Sequence, residues 1–223
     1  AQLPITHSSS ISEQLAEIPM IRLQRTGNSI QKPMLQGLTG LRLPLFQDGL
    51  RIQGQAWGSD HAPELGRLGA QEITIAKGTE ALKRSADGWG NFLEISYRPQ
   101  YHAFENNAEI SAGYQSNSKS WQSGVTYSQG GDKESNGFYL SAQHQNAGDY
   151  SIPNGILPNT AYQESSLYTG ISQKTKKAIH FIDASYFNFI GGIYLGSHIG
   201  NTTDLDNAIN ATIPLIISNT NSC

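Results

Sequence analysis

The densest grouping of chemically capable side chains is Asp60-His61-Ala62-Pro63-Glu64, an imidazole with a carboxylate on either side. Imidazole and carboxylate both suit zinc or iron, so Asp60, His61 and Glu64 form a candidate set for holding a divalent ion transiently. The same groups can instead hydrogen-bond to neighbouring chain, and their spacing does not choose between the two. The other histidines, His7, His102, His144, His180 and His198, are scattered, with no pair at metal-ligand spacing. The single cysteine, Cys223, can neither close an internal disulfide nor make a zinc site alone. No Gly-x-Ser-x-Gly elbow, phosphate-binding Gly loop or His-Glu-x-x-His helix is present. Glu13 and Glu17 lie on an ordinary helix face. The chain is read as a non-enzyme that needs no cofactor.

Composition narrows the class further. Of 223 residues, 37% are apolar and only 15% charged, with 23 Gly and a net charge of -3. No run approaches the ~20 apolar residues of a membrane helix; the nearest is Ile213-Pro214-Leu215-Ile216-Ile217. Membrane strands alternate faces and escape hydropathy windows, so this composition fits both such strands and a soluble β-sandwich. Nucleic-acid binding is disfavoured without a clustered basic footprint. The local cluster Lys174-Thr175-Lys176-Lys177 sits where a solvated hairpin turn is expected. The chain starts at Ala1 with no Met, charged n-region or apolar h-region, which reads as a removed signal peptide or, preferably, a fragment.

The elements that must position these groups change character near Tyr97-Arg98-Pro99. Before that point, short apolar runs mix with brief helical signals. Ser12 to Glu17 reads as a helix capped by Ser10 or Ser12 and stopped by Pro19. Met20 to Leu23, Met34-Leu35, Leu41 to Phe46, Arg51 to Gln53, Gln71 to Ala76 and Asn91 to Tyr97 read as strands. Pro44 predicts an edge or a break in its strand. Asp48-Gly49 is a turn signal; Pro63 to Leu68 reads as a helical turn and Thr79 to Leu82 as a short helix. Gly37, Gly40 and Gly78 read as permitting backbone geometry at tight turns.

After Arg98 the period becomes two. Ile110, Ala112 and Tyr114 alternate with Glu109, Ser111 and Gly113, and Trp121, Val125 and Tyr127 with Gln122, Gly124 and Ser128. Phe138, Leu140 and Ala142 alternate with Tyr139, Ser141 and Gln143; Leu167, Thr169 and Ile171 with Ser166, Tyr168 and Ser172; and Ile182, Ala184 and Tyr186 with Asp183 and Ser185. This predicts five strands of roughly ten residues, each with one apolar and one small polar face. The connections are tight at Ser116 to Ser118, moderate at Gly130 to Ser135, long at Ala147 to Tyr162 and tight at Lys174 to Lys177. From Gly191 onward the tail reads as irregular apart from a short helix at Asp204 to Ile209.

One ordered set of loops ties the two halves together: Gln36-Gly37-Leu38-Thr39-Gly40, Phe46-Gln47-Asp48-Gly49, Trp57-Gly58-Ser59-Asp60-His61-Ala62-Pro63-Glu64 and Lys77-Gly78-Thr79-Glu80-Ala81. In this order and spacing it resembles the plug domain of the TonB-dependent outer-membrane receptors. From Asn28 to Gly78 it is similar to the group common in Bacteroidetes. Gln36-Gly37 replaces a frequent Arg-Gly, and Lys83 to Gly90 departs from the usual Tyr-Gly run at the plug exit.

The resemblance implies an α+β plug over residues 1–98, followed at 99–223 by the first antiparallel transmembrane strands of an incomplete β-barrel. It makes Gln36, Gly37, Asp48, Gly49, Trp57, Lys77 and Gly78 structural plug-motif positions; Trp57 could stack on a ligand, with packing against the barrel wall the favoured reading. It implies an outer-membrane importer of a scarce ligand such as a siderophore, haem or metal chelate. TonB would be the energy-coupling partner, through a segment missing here, and outer-membrane lipid would surround the strands. Plugged barrels of this type have about 22 strands, and five cannot close, so a fragment of a longer receptor is expected. The rival reading is a soluble β-rich ligand-binding protein with a small α+β domain in front.

Overall fold

The computed structural model describes residues 15–26, 30–53, 72–87, 89–97, 106–130, 136–153, 155–193, 202–210 and 217–222. The N-terminal half begins with a hairpin of β1 (Ile21–Thr26) and β2 (Ile30–Leu35), paired antiparallel from Ile21 opposite Leu35. A four-stranded sheet follows, built from β3 (Leu45–Gln47), β4 (Leu50–Ile52), β5 (Glu72–Lys77) and β6 (Asn91–Ser96), in the order β4-β3-β6-β5. β3 and β6 run parallel; the other pairs are antiparallel.

β6 is buried on both faces, and this decides how the unit packs. Phe92 joins Ala76 and Ala81 beneath the short helix α1 (Thr79–Arg84). Leu93 and Ile95 point the other way into a larger core with Ile73, Leu45, Leu43, Leu35 and Ile21. Glu80 in the first turn of α1 and Lys83 and Arg84 in its last turn complement the helix dipole.

The C-terminal half is one antiparallel sheet. Its strands are β7 (Asn107–Gln115), β8 (Ser120–Gln129), β9 (Asn136–Ala147), β12 (Tyr162–Lys174), β13 (Ile179–Gly192) and β14 (Ile217–Ser222), in the order β14-β13-β12-β9-β8-β7. A small hairpin of β10 (Tyr150–Ile152) and β11 (Gly155–Leu157) lies within the long connection between β9 and β12. The alternation read from sequence places the side chains as expected. Ile110, Tyr114, Val125, Leu167, Ile171, Ile182 and Tyr186 form one exposed apolar face, with Ile110 86% and Ile182 71% exposed. Ser120, Thr126, Ser128, Ser141, Gln143, Gln145, Glu164 and Ser172 are buried on the opposite face. That polar face is the concealed one, the reverse of a water-soluble sheet.

Several expectations change. The strand expected over Leu41 to Phe46 is a 3-10 turn at Gly40–Arg42 followed by β3 from Leu45. Pro44 sets that break: it has no N–H to give to a ladder, while its carbonyl accepts from Leu93 N at 3.1 Å. The tail is not irregular beyond its helix. The helix is present as α2 (Thr202–Asn210), and Ile217–Ser222 then pairs with β13 as a sixth strand. The segment Ile-Ser-Asn-Thr-Asn-Ser shows no apolar alternation; its strand character comes from hydrogen bonds offered by the β13 edge. β9, β12 and β13 run to 12, 13 and 14 residues, longer than expected, because backbone pairing between neighbours continues past the alternating stretch. Pro63 to Leu68, Ser12 to Gln14 and the junction from Arg98 to Gln100 lie outside the described residues.

Candidate functional site

The two halves meet at a seam that starts from a turn. Asp48 and Gly49 join β3 to β4 with φ of 47° and 85°, the left-handed pair of a tight hairpin turn that Asp and Gly tolerate best. Asp48 therefore does what the sequence indicated, and more. Its Oδ1 accepts from Ser96 Oγ at 2.6 Å and from Tyr97 N at 3.1 Å, while its own N–H donates to Ile95 O at 3.2 Å. One carboxylate thus ties the β3–β4 turn to the end of β6 and fixes where Tyr97 leaves the N-terminal unit.

Tyr97 is 5% exposed and projects onto the inner face of the large sheet. Its ring lies 5.8 Å from Tyr168 on β12, which lies 5.7 Å from Tyr139 on β9. Tyr139 and Tyr168, 2% and 6% exposed, belong to the same apolar core as Ile73, Leu93 and Ile95. The core of the N-terminal unit therefore continues into the sheet. Burial, reinforced by the negative charges of Glu164 and Asp48 and by Tyr139, pushes the Tyr97 phenol well above its usual pKa. Tyr97 stays neutral, as a stacked ring away from water must.

The other predicted positions are turn devices. Gln36 and Gly37, at φ of 52° and 82°, close a two-residue turn in which Leu35 and Leu38 exchange both backbone hydrogen bonds, at 3.0 and 2.9 Å. Gly78 takes φ 59° and ψ -136° ahead of α1, donates to Gly90 O at 2.7 Å and accepts from Leu82 N at 3.1 Å. Lys77 ends β5 opposite Asn91, with its ammonium against Met20 Sδ. Trp57, Asp60, His61 and Glu64 lie outside the described residues. Among the described residues, no group of three His, Cys, Asp or Glu side chains could hold a metal ion.

Sequence reasoning missed Tyr97, Tyr139, Tyr168 and Glu164. A signal existed for two of them: Tyr139 and Tyr168 are large rings in the middle of faces that carry mainly Ser, Gln and Gly. At the opposite end of the sheet, Asp149 Oδ1 accepts from Thr160 N at 2.7 Å and Ala161 N at 2.9 Å, and Asn159 Nδ2 donates to Ile193 O at 2.7 Å. These bonds, with Ser151 N donating to Asn117 Oδ1 at 2.8 Å, join three connections into one cap.

No protein-family model and no curated protein matches the chain. Solved structures do. The copper transporter OprC superposes with a TM-score of 0.69 at 16% identity, over 86% of this chain and 30% of that one. The pyoverdine outer membrane receptor FpvA from Pseudomonas aeruginosa PAO1 gives 0.61 at 13% identity, over 82% and 25%. The FrpB iron transporter from Neisseria meningitidis gives 0.59 at 16% identity, over 83% and 29%. The chain spans less than a third of the length of each of these structures. At these identities the likeness is one of fold: the chain has the fold of part of the outer-membrane receptors and metal transporters to which it is similar.

Proposed function

We propose that these residues belong to a TonB-dependent outer-membrane receptor that imports a scarce ligand, with residues 1–98 as the plug and 99–223 as the first strands of its barrel wall. The observation that carries the reading is the inverted sheet. Isoleucines and aromatic rings stand exposed across neighbouring strands, while the polar face is buried and its Tyr139 and Tyr168 join the core of the N-terminal unit. A sheet in water hides its apolar face; a barrel wall in lipid presents it. Aromatic rings also flank that face, with Tyr114 and Trp121 near one end and Tyr127 and Phe138 near the other, as interfacial girdles do. β7 and β14 lie at opposite edges of the sheet, and open edges are untenable in hydrocarbon. Further strands of the same polypeptide would close the wall.

On this reading the long Ala147–Tyr162 connection faces outside and the Lys174–Lys177 turn faces the periplasm. Similarity to copper, iron and pyoverdine-binding transporters favours a metal ion or metal chelate as cargo, and TonB would supply the pull that frees the plug. The test is to express the complete reading frame, fractionate membranes and measure uptake of labelled metal chelates with and without TonB. Detergent-dependent extraction from the outer membrane and TonB-dependent uptake are expected. A monodisperse product in the aqueous fraction without detergent would sink the reading in favour of a soluble β-rich binding protein.

A further inference from the structure

The exposed face of the large sheet changes polarity abruptly near its β12–β13 turn. Gln129, Phe138, Ile171 and Ile182 are successive cross-strand partners on β8, β9, β12 and β13, so they form one row on that face. Two residues nearer the turn, about 7 Å along the strands, Asn136, Gln173 and His180 form a second row of partners. The two rows line a cleft of about 530 Å³. Beyond them, the turn closed by Thr175 N donating to Ala178 O at 2.8 Å carries the exposed Lys176 and Lys177 at its tip, while Lys174 shares the strand parity of Ser172 on the opposite face.

The order is apolar, then amide and imidazole, then ammonium, over a few residues. That gradient matches a phospholipid lying along the wall, with acyl chains on Phe138, Ile171 and Ile182, glycerol esters beside Gln173 and His180, and phosphate beside the lysines. No Asp or Glu among the described residues of these four strands shares the outward face. Glu164 is buried on the opposite face, and Asp183 lies on that side too, its carboxylate 2.4 Å from where a Cβ on Gly170 would stand.

We propose that this cleft is a binding site for an anionic phospholipid of the inner leaflet, held by the Lys174–Lys177 turn. The inference rests on the receptor reading, because only that orientation places the turn at a phospholipid leaflet. A basic segment at such a surface is drawn to anionic headgroups, so removing Lys176 and Lys177 should weaken anionic-lipid retention by at least about tenfold.

The experiment is native mass spectrometry of the full-length receptor in mild detergent with equimolar phosphatidylglycerol and phosphatidylethanolamine. It compares wild type, Lys176→Gln/Lys177→Gln, the single variants Lys176→Gln and Lys177→Gln, and Lys119→Gln at the opposite end as control. Heat-modifiable electrophoretic mobility establishes that each is folded. Wild type and Lys119→Gln should retain phosphatidylglycerol preferentially, the single variants less, and the double variant without preference. Equal retention of both lipids by wild type, an unchanged double variant, or displacement of the lipid by millimolar inorganic phosphate would overturn the site while leaving a membrane-integrated receptor standing. A wild-type chain found in the aqueous fraction would overturn both.

Discussion

Replacing Tyr168 by Ala removes the middle ring of the Tyr97–Tyr168–Tyr139 stack, with contacts of 5.8 and 5.7 Å on its two sides. Truncating a buried aromatic to Ala costs about 3–5 kcal/mol, of which each ring contact supplies about 0.5–1.5 beyond area. Most of the loss should fall on the seam, because Tyr168 keeps its backbone pairing with Ser141 and Ser185 and the outward apolar face is untouched. At about 1.4 kcal/mol per decade, 3 kcal/mol predicts roughly a hundredfold loss of protection for amides opened by undocking. The assay is hydrogen exchange with peptide-resolved mass spectrometry on the full-length receptor, comparing β6 peptides with those of β8 and β9. Tyr168→Phe keeps both rings in contact and should cost no more than about 1.5 kcal/mol. The reasoning fails if β6 protection is the same in Tyr168→Ala and wild type, or if β8 loses as much as β6.

The raised Tyr97 pKa gives a pH dependence of defined sign. A phenol whose folded pKa lies above its unfolded value stabilises docking below about pH 10, and that contribution is lost as pH rises from there through the folded value; β6 protection followed from pH 8 to 11 should fall in wild type and stay flatter in Tyr97→Phe. Asp48→Ala removes the acceptor for Ser96 Oγ and Tyr97 N and should destabilise the N-terminal unit by about 2–3 kcal/mol, read as earlier protease cleavage within it. Gly192→Ala places a Cβ 2.3 Å from Asn159 Oδ1 and 2.6 Å from Asn159 O; it should cost about 1–3 kcal/mol and raise exchange at 155–161 selectively. His61→Ala should weaken metal uptake by the full-length receptor if Asp60, His61 and Glu64 contact cargo; unchanged uptake removes them as ligands.

What could be read without coordinates was whatever repeats locally. Ile110, Ala112 and Tyr114 face away from Glu109 and Ser111 in any strand pairing, because side chains alternate with a period of two. Asp48-Gly49 predicts its turn because left-handed backbone is a property of those two residues. Pro44 breaks a ladder wherever it sits. Beyond such local rules the signal fades. β14 has no pattern of its own and exists through the edge of β13, so its residues looked like coil. The reach of Asp48 to Ser96 and Tyr97 spans nearly fifty residues, and no spacing rule extends that far.

The sequence by itself determined a chain of alternating strands with one apolar and one polar face, preceded by a turn-rich α+β segment, because face and turn are set by nearest neighbours. It left open which face is covered. Only the tertiary structure decided that the polar face is concealed, with Tyr139 and Tyr168 joined to the core of the N-terminal unit through Tyr97. That choice depends on which face the distant N-terminal unit packs against, a contact between the two halves that alternation within either half does not contain.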